Sequence, residues 1–89
     1  MITLKSAHEI ELMRRAGKIT AAARAVARDM VKPGVTTQQI DKAVHRFITE
    51  QGAIPSFLHY NGYPASVCVS VNDEIIHGIP GKRVLQEGD

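Results

Sequence analysis

Four histidines, one cysteine and two tyrosines are the residues of this chain best suited to chemistry or recognition near neutral pH. The histidines stand at His8, His45, His59 and His77, and none has the spacing that builds a zinc site by itself. Glu74-Ile75-Ile76-His77 is a Glu-x-x-His. On a strand, that three-residue step puts the two side chains on opposite faces, so it is not the helical metalloprotease pattern. Asp41 and His45 are four apart and share one face of a helix. Two ligands do not make a metal site, and a surface ion pair is the better reading. Cys68 with a histidine would be a nucleophile pair, but nothing nearby in the sequence supplies an orienting acid or amide. Alternating with valines, Cys68 reads as a small packing residue. No glycine-rich loop follows a strand, so nucleotide binding has no support. His77 beside Gly78-Ile79-Pro80 and the Tyr60–Tyr63 loop remain. An aromatic-rimmed loop next to a thiol suits a small apolar side chain. Turn tyrosines and a capping histidine would account for the same residues equally well.

The elements that must position these residues divide the chain in two. Ser6 with Glu9 forms a capping box, and apolar or small residues recur at Ile10, Met13, Ala16/Gly17, Ala23, Val26/Ala27 and Met30. This predicts a long first helix, stopped by Pro33-Gly34. Gly17 costs about 1 kcal/mol in a helix interior, which suggests close packing against another backbone. Thr36 with Gln39 repeats the capping box, and Ile40, Ala43/Val44 and Phe47/Ile48 form the stripe of a second helix ending near Gly52. Beyond it, prolines and glycines break the chain into short pieces. Ala53–Leu58 reads as a short strand, 59–64 as a turn-rich loop, and Ser66–Val71 as a strand with its valines on one face. Asn72-Asp73 is a turn, followed by a strand-like Glu74–His77. The expected fold is α/β (α+β): two helices packed on a small, mostly antiparallel sheet.

Composition bounds the function. Eighty-nine residues make one small domain with a thin core, since a chain this short buries only about 60–65% of its unfolded surface. The single cysteine excludes an intrachain disulfide and fits a reducing compartment. No apolar run reaches the roughly 18–20 residues of a membrane span, and the N-terminus lacks a secretory signal, so the expected location is cytoplasmic. Net charge is +2, but Arg14, Arg15, Lys18, Arg24, Arg28 and Lys32 cluster with only Asp29 among them. That stripe reads as the solvated side of an amphipathic helix, and no motif supports sequence-specific nucleic-acid binding.

The stretch Tyr60-Asn61-Gly62-Tyr63-Pro64-Ala65-Ser66-Val67-Cys68, followed by His77-Gly78-Ile79-Pro80, closely resembles the bacterial type I methionine aminopeptidases. Ile10–Gly17 in the first helix and Lys32-Pro33-Gly34-Val35-Thr36-Thr37 between the helices agree, so the likeness covers essentially the whole chain. The resemblance implies removal of the initiator methionine from new polypeptides whose second residue is small. It also implies a pita-bread fold, two similar α/β halves facing each other across two divalent metal ions (cobalt, manganese, iron, zinc or nickel). In that family the metals activate water and polarise the scissile carbonyl. By motif position His77 matches the non-ligand histidine that steadies the tetrahedral intermediate. Tyr60, Tyr63 and Cys68 match the wall of the methionine pocket. Some relatives carry Cys where Phe57 stands and His where Asn61 stands; both changes keep a pocket, though Asn61 cannot titrate.

The family's metal ligands, two Asp, one His and two Glu, lie C-terminal to the His-Gly-Ile-Pro block, and this sequence stops at Asp89. The resemblance therefore implies residues 1–89 as the N-terminal part of a single catalytic domain, with no bound metal expected and no activity alone. Its expected partners are nascent polypeptide N-termini and the ribosome, with no membrane, and the bare half-fold is expected to self-associate. The alternative is a non-catalytic pita-bread half serving as a polypeptide- or ribosome-binding module.

Overall fold

The computed structural model describes all residues, 1–89. Helix α1 runs Ala7–Met30 and helix α2 Thr37–Glu50, and both begin as the capping boxes require. Ser6 Oγ accepts from the Glu9 N–H at 3.2 Å while Glu9 accepts from the Ser6 N–H at 2.9 Å. The Glu9 carboxyl is held below its usual range by the Ser6 backbone N–H and then by the Ser6 hydroxyl. Thr36 and Gln39 make the same reciprocal pair at 3.1 and 2.8 Å. The next orphan donors of α2 are satisfied from far away in sequence. The Thr37 N–H donates to the Arg83 carbonyl at 3.1 Å and the Gln38 N–H to the Gly81 carbonyl at 3.0 Å. The C-terminal segment thus folds back over the start of α2.

The core lies where the C-terminal half of α1 meets α2. Ala23, Ile40, Val44, Val71 and Leu85 are buried there, with Val26, Met30, Ile48, Val67 and Val69 against them. Only ten residues of the chain are buried, and no large side chain is fully so, which makes the core as thin as the length implies. The stripe of α1 packs only from Ile19 onward, and Ile10 and Met13 are exposed. Gly17 has open space around it, so the close packing inferred from the sequence does not occur.

The expected sheet does not form. Ala53–Leu58, Ser66–Val71 and Glu74–His77 contain no strand, and the one pairing is an isolated antiparallel bridge between Thr36 and Val84. The valines of Ser66–Val71 do turn toward the core. However, Asn72 and His77 take positive φ values of 54° and 55°, and the segment after the turn leaves the register a hairpin needs. Two backbone bonds link the two arms: the Glu74 N–H donates to the Val71 carbonyl at 3.1 Å, closing the turn, and the Val69 N–H to the Gly78 carbonyl at 2.8 Å. Side chains supply the rest: Glu74 Oε1 accepts from the Val71 N–H and Ser70 Oγ from the Gly78 N–H.

Candidate functional site

Helix α2 is the platform for the site. Asp41 Oδ1 accepts from two consecutive backbone amides, Ser66 N–H at 2.8 Å and Val67 N–H at 3.0 Å. One turn along, His45 Nδ1 lies 2.8 Å from Ser66 Oγ. The two residues do share a helix face, but they grip the loop instead of forming a surface ion pair with each other. A carboxylate can serve two N–H donors at once, and charge-assisted bonds of this type are about twice as strong as neutral ones. Ser66 is buried under this clasp.

The clasp fixes the loop that carries Tyr63 and Cys68. The Tyr63 hydroxyl donates to the Val67 carbonyl at 3.0 Å, with the Gly78 carbonyl 3.4 Å away. Burial pushes the Tyr63 phenol up to about 12; the hydrogen bond with Cys68, then the charges of Cys68 and Asp41, push in the same direction. The phenol therefore stays neutral and keeps donating. Phe57 stands between two rings: its centroid is 5.7 Å from that of Tyr63 and 6.4 Å from that of His77, the latter edge-on. Such tilted contacts match the quadrupoles of aromatic pairs. His77 holds a left-handed backbone conformation, uncommon outside glycine. The next residue must be glycine, because a Cβ on Gly78 would collide with the Val69 carbonyl.

Phe57, Cys68 and His77 line an open cleft of about 720 Å³ between α1, α2 and the loops. Ile54, Ile75 and Ile76 on its rim are 87%, 90% and 68% exposed, so the walls are apolar and accessible. Tyr63 backs this group through Phe57. The structure thus brings Phe57, Tyr63, Cys68 and His77 together, whereas Tyr60 and Asn61 stand apart from the cleft. They sit on a short 3₁₀ turn, Tyr60–Gly62, with positive φ at His59 and Asn61, and Tyr60 is 66% exposed. Sequence reasoning missed Ser66 and gave Asp41 and His45 the wrong partner. Their four-residue spacing was visible, but the acceptor's target lay 25 residues away.

The residues present do not fit a pair of divalent metal ions. No three His, Cys, Asp or Glu side chains gather anywhere in the chain. The cleft offers an imidazole and a thiol but no carboxylate, and hard divalent ions want oxygen ligands.

Comparisons with known proteins place the chain. Residues 11–89 match the model of metallopeptidase family M24. The chain is 51% identical over its full length to methionine aminopeptidase 1 of Bacillus subtilis and spans 36% of that protein. It is 48% identical to the methionine aminopeptidase of Clostridium perfringens, again covering 36% of it. Its structure superimposes on the methionine aminopeptidases of Thermotoga maritima and Rickettsia prowazekii with TM-scores of 0.95 and 0.94 at 39% and 41% identity. Each match covers 99% of this chain and 36% of the other, so the chain spans about a third of the proteins it resembles.

Proposed function

The chain belongs to metallopeptidase family M24, and from that premise we propose that it supplies the side-chain pocket of an enzyme that removes the initiator methionine from new polypeptides with a small second residue. The gathering of Phe57, Tyr63, Cys68 and His77 around one apolar cleft supports this reading most directly. A thioether packs well against aromatic edges, and Phe57 offers one at the wall of the cleft that Cys68 also lines. His77 is presented at the cleft by its forced backbone turn, where an imidazole can hold charge that develops on a scissile carbonyl. Tyr60 and Asn61, on the outer turn, would meet the substrate only as it enters. In this reading the metal ligands lie outside residues 1–89, and the chain by itself releases no methionine. Its substrates are the N-termini of nascent chains in the cytoplasm, near the ribosome.

The test is methionine release from a Met-Ala-Ser peptide, with Mn²⁺, Co²⁺ or Fe²⁺ added, by the natural gene product and by the 89-residue chain. Release by the gene product, with kcat falling about 10²–10³-fold in His77→Ala and KM little changed, is the expected result. No release by the gene product overturns the proposal. Turnover by the 89-residue chain alone overturns its claim that the metal ligands lie elsewhere.

A further inference from the structure

The imidazole of His77 owes its place at the cleft to the backbone beside it. His77 has a positive φ of 55°, which a residue with a Cβ rarely adopts unless its surroundings hold it there. The next residue, Gly78, is fixed from three sides. Its carbonyl accepts from the Val69 N–H at 2.8 Å. Its Cα lies so close to the Val69 carbonyl that a Cβ would not fit. Its N–H donates to Ser70 Oγ at 3.1 Å.

The third restraint bears most directly on His77. The Gly78 N–H belongs to the same planar peptide unit as the His77 carbonyl, so the bond to Ser70 fixes ψ of His77. It is also the one restraint of the three that a side chain makes. Ser70 is well placed to hold it, because the residues on either side are themselves bonded. The Val69 N–H donates to the Gly78 carbonyl, and the Val71 N–H donates to Glu74 Oε1 at 2.8 Å. Ser70 and His77 line the same cleft.

We propose that Ser70 is a positioning residue of the peptidase, its hydroxyl holding the His77–Gly78 peptide so that the imidazole meets the charge developing on the scissile carbonyl. The inference rests on the role of His77 given above and adds to it a residue that need not touch the substrate. A group aimed at charge that appears only in the transition state acts on kcat more than on KM. Displacing such a group by about 1 Å can cost up to about 10²-fold in rate.

A double-mutant cycle on the natural gene product tests it, read as methionine release from Met-Ala-Ser with Mn²⁺ present. Ser70→Ala is expected to lower kcat about tenfold, with KM changing less than about twofold. Ser70→Thr keeps the hydroxyl and should restore kcat to within about twofold. Ser70→Cys offers only a weak sulfur acceptor and should fall between the two; it carries the comparison if Ser70→Ala does not fold. Added to His77→Ala, either Ser70 variant should change kcat by less than about twofold, because the hydroxyl works only through the imidazole. Equal losses in both backgrounds overturn the proposal. So does a rise in KM in place of a fall in kcat, which would make the hydroxyl a substrate contact. Full activity in the Ser70 variants beside a crippled His77→Ala overturns this inference alone and leaves the peptidase reading standing. Full activity in His77→Ala overturns both.

Discussion

In α1 and α2 the backbone bonds to itself, and side chains only finish the ends; between Ser66 and Gly78 four of the six bonded amides depend on a side-chain acceptor. The helical region is redundant, since each bond has neighbours of the same kind one residue away. The site region is not: Asp41 alone holds two of its amides, and Glu74 and Ser70 hold one each. Regular structure tolerates local loss, whereas an irregular loop concentrates its stability in a few named groups.

The sharpest way to break this contrast is to attack what the two regions share. Ile40 is 3% exposed and sits in the core both use. Ile40→Ala should cost about 3–4 kcal/mol and unfold helices and loop together, as coincident urea transitions by circular dichroism and tyrosine fluorescence. Separate transitions would show that the regions have independent cores. Next in size is Asp41→Ala, expected to cost about 2–3 kcal/mol by orphaning two amides. Hydrogen exchange should then speed up at Ser66 and Val67 while the amides in the middle of α1 stay protected. Equal loss in both regions would abolish the contrast.

The smallest effect is set by pH. Tyr63 ionises in the folded chain at about 12 against an ordinary 10.0, so folding favours its neutral form. That contribution is complete below pH 10 and is lost as pH rises from 10 through 12. Phenolate absorbance of the folded chain should show one tyrosine titrating late, with loop protection declining in the same window. A Tyr63 that ionises near 10 while the loop stays closed would remove the phenol from the list of loop fasteners.

How much was legible beforehand follows the same division. Both capping boxes, the stop at Pro33-Gly34 and the stripe of α2 rest on residues within four positions of one another, and all appear as read. The burial of Val67, Val69 and Val71 was also legible, because alternation survives in the absence of a ladder. The sheet was not, because pairing depends on where the chain goes after Asn72, and the positive φ values of Asn72 and His77 leave no periodic trace. Phe57, Tyr63, Cys68 and His77 come together in space, while Tyr60 and Asn61 lie on a separate turn whose positive φ values at His59 and Asn61 no side-chain pattern announces. Asp41 was visible as half of a pair, but its true partners are backbone groups, which no side-chain pattern reveals.

The reach from Asp41 to Ser66 also orders events in time. The two helices lie next to each other along the chain and need only a short link to meet. The clasp must close a loop of about 25 residues, at a greater entropic cost and for only a few bonds in return. Helix pairing therefore precedes docking of the loop as the chain folds. A protease that samples local openings of the clasp would cut first between Glu50 and Ser66, and that cut would part Cys68 and His77 from the helix that positions them.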